Sequence, residues 1–151
     1  MSALDRPTFD NYPNNWFGFL VLRSSPVVAT SLDWGEAPLP WFEDFVDESI
    51  DAERRRLAIA YLDGAPCGVG TFSYCRCPHC GEEVNNATYC WDGVWFWPIS
   101  VIHDIEKHQI WIPRRFERHL ADREFIPPSQ SEVQQPEEFS FPSYAPPCFL
   151  P

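Results

Sequence analysis

The chain has 151 residues with a formal charge of −11 at pH 7, and Lys107 is its sole lysine. Apolar residues make up 44% and aromatics 16%, enough for one packed domain with appendages and too much for a wholly disordered chain. So acidic a protein is a poor default ligand for phosphate backbones, which are held mainly by Lys and Arg, and no apolar run is long enough to span a bilayer.

Residues 1 to about 15, with Pro7, Pro13 and the pair Asn14-Asn15, read as an irregular arm. Trp16-Phe17-Gly18-Phe19-Leu20-Val21-Leu22 is a continuous apolar run that suits a buried strand or a short core helix. Pro26 to Thr30 reads as a second extended piece, and Asp33 to Pro40 as a loop anchored by Trp34 and Trp41. Glu43, Asp44, Asp47, Glu48, Asp51 and Glu53 fall in a stretch with no basic residue until Arg54, a pattern of a solvated face and of charge gathered at a helix N-terminus. Asp51 to Leu62 is the best helix of this half, with Leu57/Tyr61 and Ala58/Leu62 as i,i+4 apolar pairs and Gly64 offered as a left-handed cap. Its triplet Arg54, Arg55 and Arg56 is expected to neutralise the preceding carboxylates rather than bind an anion.

Ala65 to Tyr74 reads as a strand leading into Cys77-Pro78-His79-Cys80, and His103-Asp104-Ile105-Glu106-Lys107-His108 follows later. Two cysteines separated by two residues let both thiolates reach one ion, and a second pair of imidazoles completes the four donors of a closed zinc site. His103 and His108 fall on a helix started at Pro98. Five residues correspond to about 500° of rotation, which leaves the two rings roughly 140° apart on a regular helix. The last turn must loosen, or His108 must sit just past it. Cys75, His79 and Cys90 are the local competitors for a ligand position, while Cys67 and Cys148 read as structural or incidental. Between the pairs, Asp92-Gly93 flanked by aromatic and β-branched residues predicts a hairpin with a two-residue type I′ turn. Knuckle, hairpin and helix in that order would gather Cys77, Cys80, His103 and His108 at one pole of a ββα-like unit.

Gln109 to Pro113 is extended, and Pro113 to Leu120 starts a short helix with Phe116 and Leu120 at i,i+4. After Arg123 the composition turns to Pro, Ser, Gln and Glu, with Phe139, Phe141, Tyr144 and Phe149 among them. The chain therefore divides into a compact domain 1–123, with a strand/helix part 16–63 and a zinc-finger-like part 64–123, and a Pro-rich tail 124–151.

The residues Cys77-x2-Cys80-Gly81, Asp92-Gly93-Val94-Trp95-x-Trp97-Pro98 and His103-x4-His108-x-Ile110-x-Ile112-Pro113-x2-Phe116 resemble a family of small uncharacterised bacterial proteins. The recurring pattern there is a C-x2-C-G knuckle, then D-G-x-[WY]-x-W-P, then H-x4-H and a later proline. The resemblance covers about Arg54 to Leu120 and implies the same metal-binding motif, with no established biochemistry attached. Ile99-Ser100-Val101 stands where the family has Glu-Gly-Leu, and Asp104 where it has Tyr; neither change touches a proposed ligand.

The expectation is an α+β protein carrying a structural zinc ion, Zn2+, with Cys77, Cys80, His103 and His108 as ligands. The N-terminus lacks the charged and apolar regions of a secretion signal, so the expected compartment is the cytoplasm and the expected state of the cysteines is thiol or metal ligand rather than a disulfide framework. The expected function is binding, to another protein, as a regulatory or immunity-type factor, because a filled four-ligand site has no position left to activate water. Two alternatives are a nucleic-acid-binding zinc finger and a zinc-dependent hydrolase. Against the first, residues 67–123 carry six basic and seven acidic side chains, and Arg114, Arg115 and Arg118 are the only basic cluster. Against the second, no hydrolase motif is present.

Overall fold

A computed structural model describes residues 6–12, 15, 17–18, 20–24, 40–69, 74–77, 79–85 and 88–133. The predicted pieces at 26–30 and 33–39 and the tail beyond 133 lie outside them. The elements run α1 (Ala52–Gly64), β1 (Cys67–Val69), β2 (Tyr74–Arg76), β3 (Glu83–Asn85), β4 (Thr88–Trp91), β5 (Phe96–Pro98), α2 (Ser100–His108) and α3 (Arg114–Asp122), after a 3-10 turn at Phe42–Phe45. The fold is α+β, with two antiparallel sheets. Among the described residues, no helix is long and apolar enough to cross a membrane.

The larger sheet has the order β1-β4-β5, and β4 is its central strand. One face of that sheet and the three helices enclose a core in which Phe17, Phe45, Tyr61, Leu62, Trp97, Ile105, Ile110, Ile112, Phe116 and Leu120 are fully buried. Trp95 stacks flat on Phe116, ring centroids 4.4 Å apart, and Trp97 leans on the same ring at 5.4 Å. Offset aromatic contacts of this kind add to the burial of large rings. Among the described residues, Trp95, Trp97 and Phe116 thus form an aromatic group within this core.

The apolar run at 16–22 forms no regular element among the described residues. Phe17 donates its N–H to the carbonyl of Phe96 and Val21 makes a parallel bridge to Trp41, so these two residues are pinned at separate points. Phe17, Leu20 and Val21 are all buried, which is why the run is apolar without alternation.

Helix α1 begins one residue later than predicted because Asp51 is its N-cap, its carboxylate accepting the N–H of Arg54 at 2.7 Å. Gly64 is the last helical residue and is not left-handed; the helix ends into extended backbone at Ala65, φ −75° and ψ 157°. The arginine triplet divides its tasks. Arg54 pairs with Glu117 of α3 and Arg56 with Glu53, while Arg55 donates to the carbonyls of Ile50, Ile105 and Asp47. Only Arg56 meets one of the carboxylates that precede it; Arg54 ties two helices together and Arg55 caps loose carbonyls.

Two further expectations change. The connection from β4 to β5 is not a type I′ turn, since positive φ falls on Gly93 and not on Asp92. Asp92 instead turns its carboxylate inward, and Oδ1 accepts the N–H groups of Val94 and Trp95 at 2.9 and 2.6 Å. Cys67 and Cys90 are register partners across β1 and β4 and are joined by a disulfide. The reading of Cys90 as a buried thiol or stand-in ligand therefore does not hold, and of the two readings of Cys67, structural or incidental, the disulfide agrees with the first. Compartment reasoning about six cysteines as a group had no access to this pairing, which depends on strand register.

Candidate metal centre

The smaller sheet, β2 paired with β3, carries the C-x2-C knuckle at its tip. Cys77 donates its N–H to the carbonyl of Glu82 at 2.7 Å, and Gly81 closes the turn back onto the carbonyl of Cys77 at 2.8 Å. Gly81 has φ +78°, a conformation in which a Cβ is strained, so glycine after the second cysteine is what lets the chain fold back. Both sulphurs are thereby held on the inner side of a tight loop, Cys77 buried and Cys80 exposed.

The other half of the site is α2. Val101 and Ile105 are buried and fix one face of this helix against the core, which leaves His103 free to reach the knuckle. His108 is the last helical residue, and Gln109 immediately adopts the left-handed conformation, φ 57°, with its N–H returning to the carbonyl of Asp104. The five-residue spacing is accommodated because the helix stops at the second histidine.

The result is a convergence of the four predicted residues. One donor atom each from Cys77, Cys80, His103 and His108 lies within 4.8 Å of the others. Cys77 Sγ is 3.3 Å from His108 Nε2, and Cys80 Sγ is 3.4 Å from His103 Nε2. The two imidazole centroids are 5.1 Å apart and steeply inclined, at 70°. Glu82 Oε2 stands 3.6 Å from His103 Nδ1, on the far side of that ring from Cys80, where a carboxylate favours the tautomer with its bare nitrogen facing inward.

Two of the four donors have shifted proton affinities that bear on cation binding. Burial, followed by the nearby His79 and His103, holds His108 below its ordinary value, which favours the neutral ring that a metal requires. Burial pushes the Cys77 thiol up, so a bound cation must displace its proton. Burial also pushes the Asp104 carboxyl up to about 7.

Of the competing ligands, Cys90 is consumed in the disulfide and the side chain of Cys75 falls outside what is described. His79 stacks on Phe42, centroids 5.1 Å apart, and meets the His108 ring at 4.4 Å. It flanks the group without belonging to it. A shallow cleft of about 350 Å³ opens between β3 and the start of α2, and His103 is the only one of the four residues that lines it.

A second polar cluster escaped sequence reasoning. Asp92 is buried, and its Oδ2 accepts the Tyr61 hydroxyl at 2.6 Å and faces His119 Nε2 at 2.7 Å. With the two backbone donors on Oδ1, the carboxylate has four partners drawn from α1, α3 and its own turn. Burial and that carboxylate together push the Tyr61 hydroxyl pKa well above its ordinary value, so it stays a donor. Tyr61 and His119 lie 31 and 27 residues from Asp92 on opposite sides of it in the chain, and the three share no motif; an Asp before a Gly is the only local signal, and it points to a turn.

No family model matches this chain, and no curated protein or solved structure matches it.

Proposed function

We propose that this protein binds one zinc ion through Cys77, Cys80, His103 and His108, and that the ion serves as a structural clasp. The observation that carries the reading is the convergence of two thiols and two imidazole Nε2 atoms from separate elements within 4.8 Å. Zinc–sulphur bonds of about 2.3 Å and zinc–nitrogen bonds of about 2.0 Å at tetrahedral angles put sulphur and nitrogen about 3.5 Å apart. The two sulphur–nitrogen distances of 3.3 and 3.4 Å lie close to that edge. Two thiolates with two imidazoles also form a donor set that suits zinc better than a hard, oxygen-seeking cation.

The mechanical role follows from where the donors sit. The cysteines belong to the β2–β3 hairpin, which among the described residues shares no ladder with the larger sheet, and the histidines belong to a helix packed on the core. A two-stranded hairpin is marginal by itself in water. The ion would join it to the body of the protein and contribute on the order of 10 kcal/mol in doing so.

Four protein donors leave no position for water or substrate, which supports a binding function over catalysis. The strongly acidic chain favours another protein, with a basic surface, as the partner. Elemental analysis and thermal unfolding of the reduced full chain test the clasp: one zinc per chain and a melting temperature that falls on chelation are expected. A chain that retains no zinc, or melts alike with and without it, refutes the reading. Loss of binding to a basic partner on raising salt, with zinc retained, separates the partner claim from the metal claim.

A further inference from the structure

Three features of the knuckle bear on what could open the clasp. Cys77 and Cys80 are the two free cysteines among the described residues whose side chains are given, and their sulphurs lie within 4.8 Å of each other in the donor group. Cys80 is exposed and Cys77 is buried, so reagents in solvent meet one sulphur first. The other described pair, Cys67 and Cys90, is already joined across the larger sheet and ties β1 to β4 without any metal.

Among the described residues, the hairpin meets the body along β3, which packs against α2, and around the knuckle. Cys77 meets His108, Cys80 meets His103, Glu82 approaches His103, and His79 rests on Phe42. Among the described residues, no β-ladder crosses from this hairpin to the larger sheet. Loss of both thiolates would leave the ion with two imidazoles and remove the ties from the knuckle to His103 and His108.

We propose that the Cys77–Cys80 pair is a redox release for the metal clasp: a peroxide-class oxidant converts the two thiolates to a disulfide, the zinc ion leaves, and the β2–β3 hairpin detaches from α2. This rests on the zinc reading above. The exposed Cys80 thiolate attacks one oxygen of hydrogen peroxide, the O–O bond breaks, and hydroxide departs with the electron pair, leaving a sulfenic acid. The Cys77 thiolate then attacks the Cys80 sulphur, the S–O bond breaks, and a second hydroxide departs. Two thiolates lose two electrons in all, the peroxide gains them, and zinc leaves with its charge unchanged. The pre-formed Cys67–Cys90 bridge confines the change to the knuckle, because the larger sheet keeps its own cross-link.

The test uses the zinc-loaded full chain with hydrogen peroxide and a chromogenic zinc indicator. The expected result is release of one zinc per chain together with loss of two thiols, and a Cys77–Cys80 bridge in the peptide map. Trypsin cleavage after Arg76, at the base of the knuckle, should rise on the order of tenfold as the hairpin comes away. On oxidised chain not yet exposed to trypsin, a thiol reductant that leaves Cys67–Cys90 intact, followed by zinc, should restore the two thiols, the bound ion and the slow cleavage at Arg76. The double variant Cys75→Ser, Cys148→Ser should respond as the native chain does. Zinc that stays bound while Cys80 is oxidised, a bridge that forms instead to Cys75 or Cys148, or release without faster cleavage at Arg76 would each overturn the proposal. A reduced chain that never takes up zinc would fail at the loading step, before peroxide is added, and would count against the metal reading itself.

Discussion

The two sheets of this protein are built on different principles. The larger one, β1-β4-β5, lies against a core of tryptophan, phenylalanine and aliphatic side chains and is cross-linked by Cys67–Cys90. The smaller one, β2–β3, presents Glu83, Val84 and Asn85 partly or wholly to solvent and, among the described residues, meets the body along β3 and at the donor group. Apolar burial can hold the first because enough side chains converge on it. In the second, a two-stranded hairpin that is marginal by itself in water, a group of four possible metal donors stands at the contact with α2.

The largest expected effect breaks this contrast at the metal. Chelation, or Cys77→Ser, should forfeit on the order of 10 kcal/mol of local stabilisation. Amide hydrogen exchange would show β2 and β3 losing protection while β4 and β5 keep theirs. Equal loss in both sheets would mean that the ion supports the whole fold and that the division is false.

The next effect breaks the core half. Asp92→Ala would strip the Tyr61 hydroxyl, His119 and two backbone N–H groups of their shared acceptor, at a cost of about 3 to 5 kcal/mol. Urea unfolding of the zinc-loaded protein should register that loss with the zinc content unchanged, since none of the four donors touches this cluster.

A pH experiment sharpens the boundary between the halves. Burial raises the Asp104 carboxyl to about 7, so the folded state prefers the protonated form. Its contribution is fully present below the ordinary carboxylate range near 3.9 and is lost as pH rises through about 7. In the metal-free chain, Asp104→Asn should therefore stabilise by about 2 kcal/mol at pH 8 and progressively less toward pH 5. Denaturant midpoints across that range check the sign. The smallest effect is Asp51→Ala, which removes the α1 cap and should cost about 1 kcal/mol in the same melts without altering exchange in the knuckle.

What could be read before the structure tracks the range of each signal. The convergence of Cys77, Cys80, His103 and His108 was legible because residue type and short spacing carry it, whereas the positive φ at Gly81 that closes the knuckle was not. The histidine geometry was legible as a problem, a five-residue spacing that a regular helix cannot satisfy, and the left-handed Gln109 is its solution. The Cys67–Cys90 bond was not legible, because it depends on β1 and β4 pairing in one register. Nor was the Asp92 cluster, whose members meet only after α1 and α3 pack on either side of the β4–β5 turn. At 16–22 the apolar run correctly announced burial but not conformation, since Phe17, Leu20 and Val21 fill the core without a regular element among the described residues.

X-ray absorption at the zinc edge of the reduced, zinc-loaded chain tests the central claim most directly. The account predicts a four-donor shell of two sulphurs at about 2.3 Å and two imidazole nitrogens at about 2.0 Å. A shell of oxygen and nitrogen alone, or a sulphur count other than two, would contradict it.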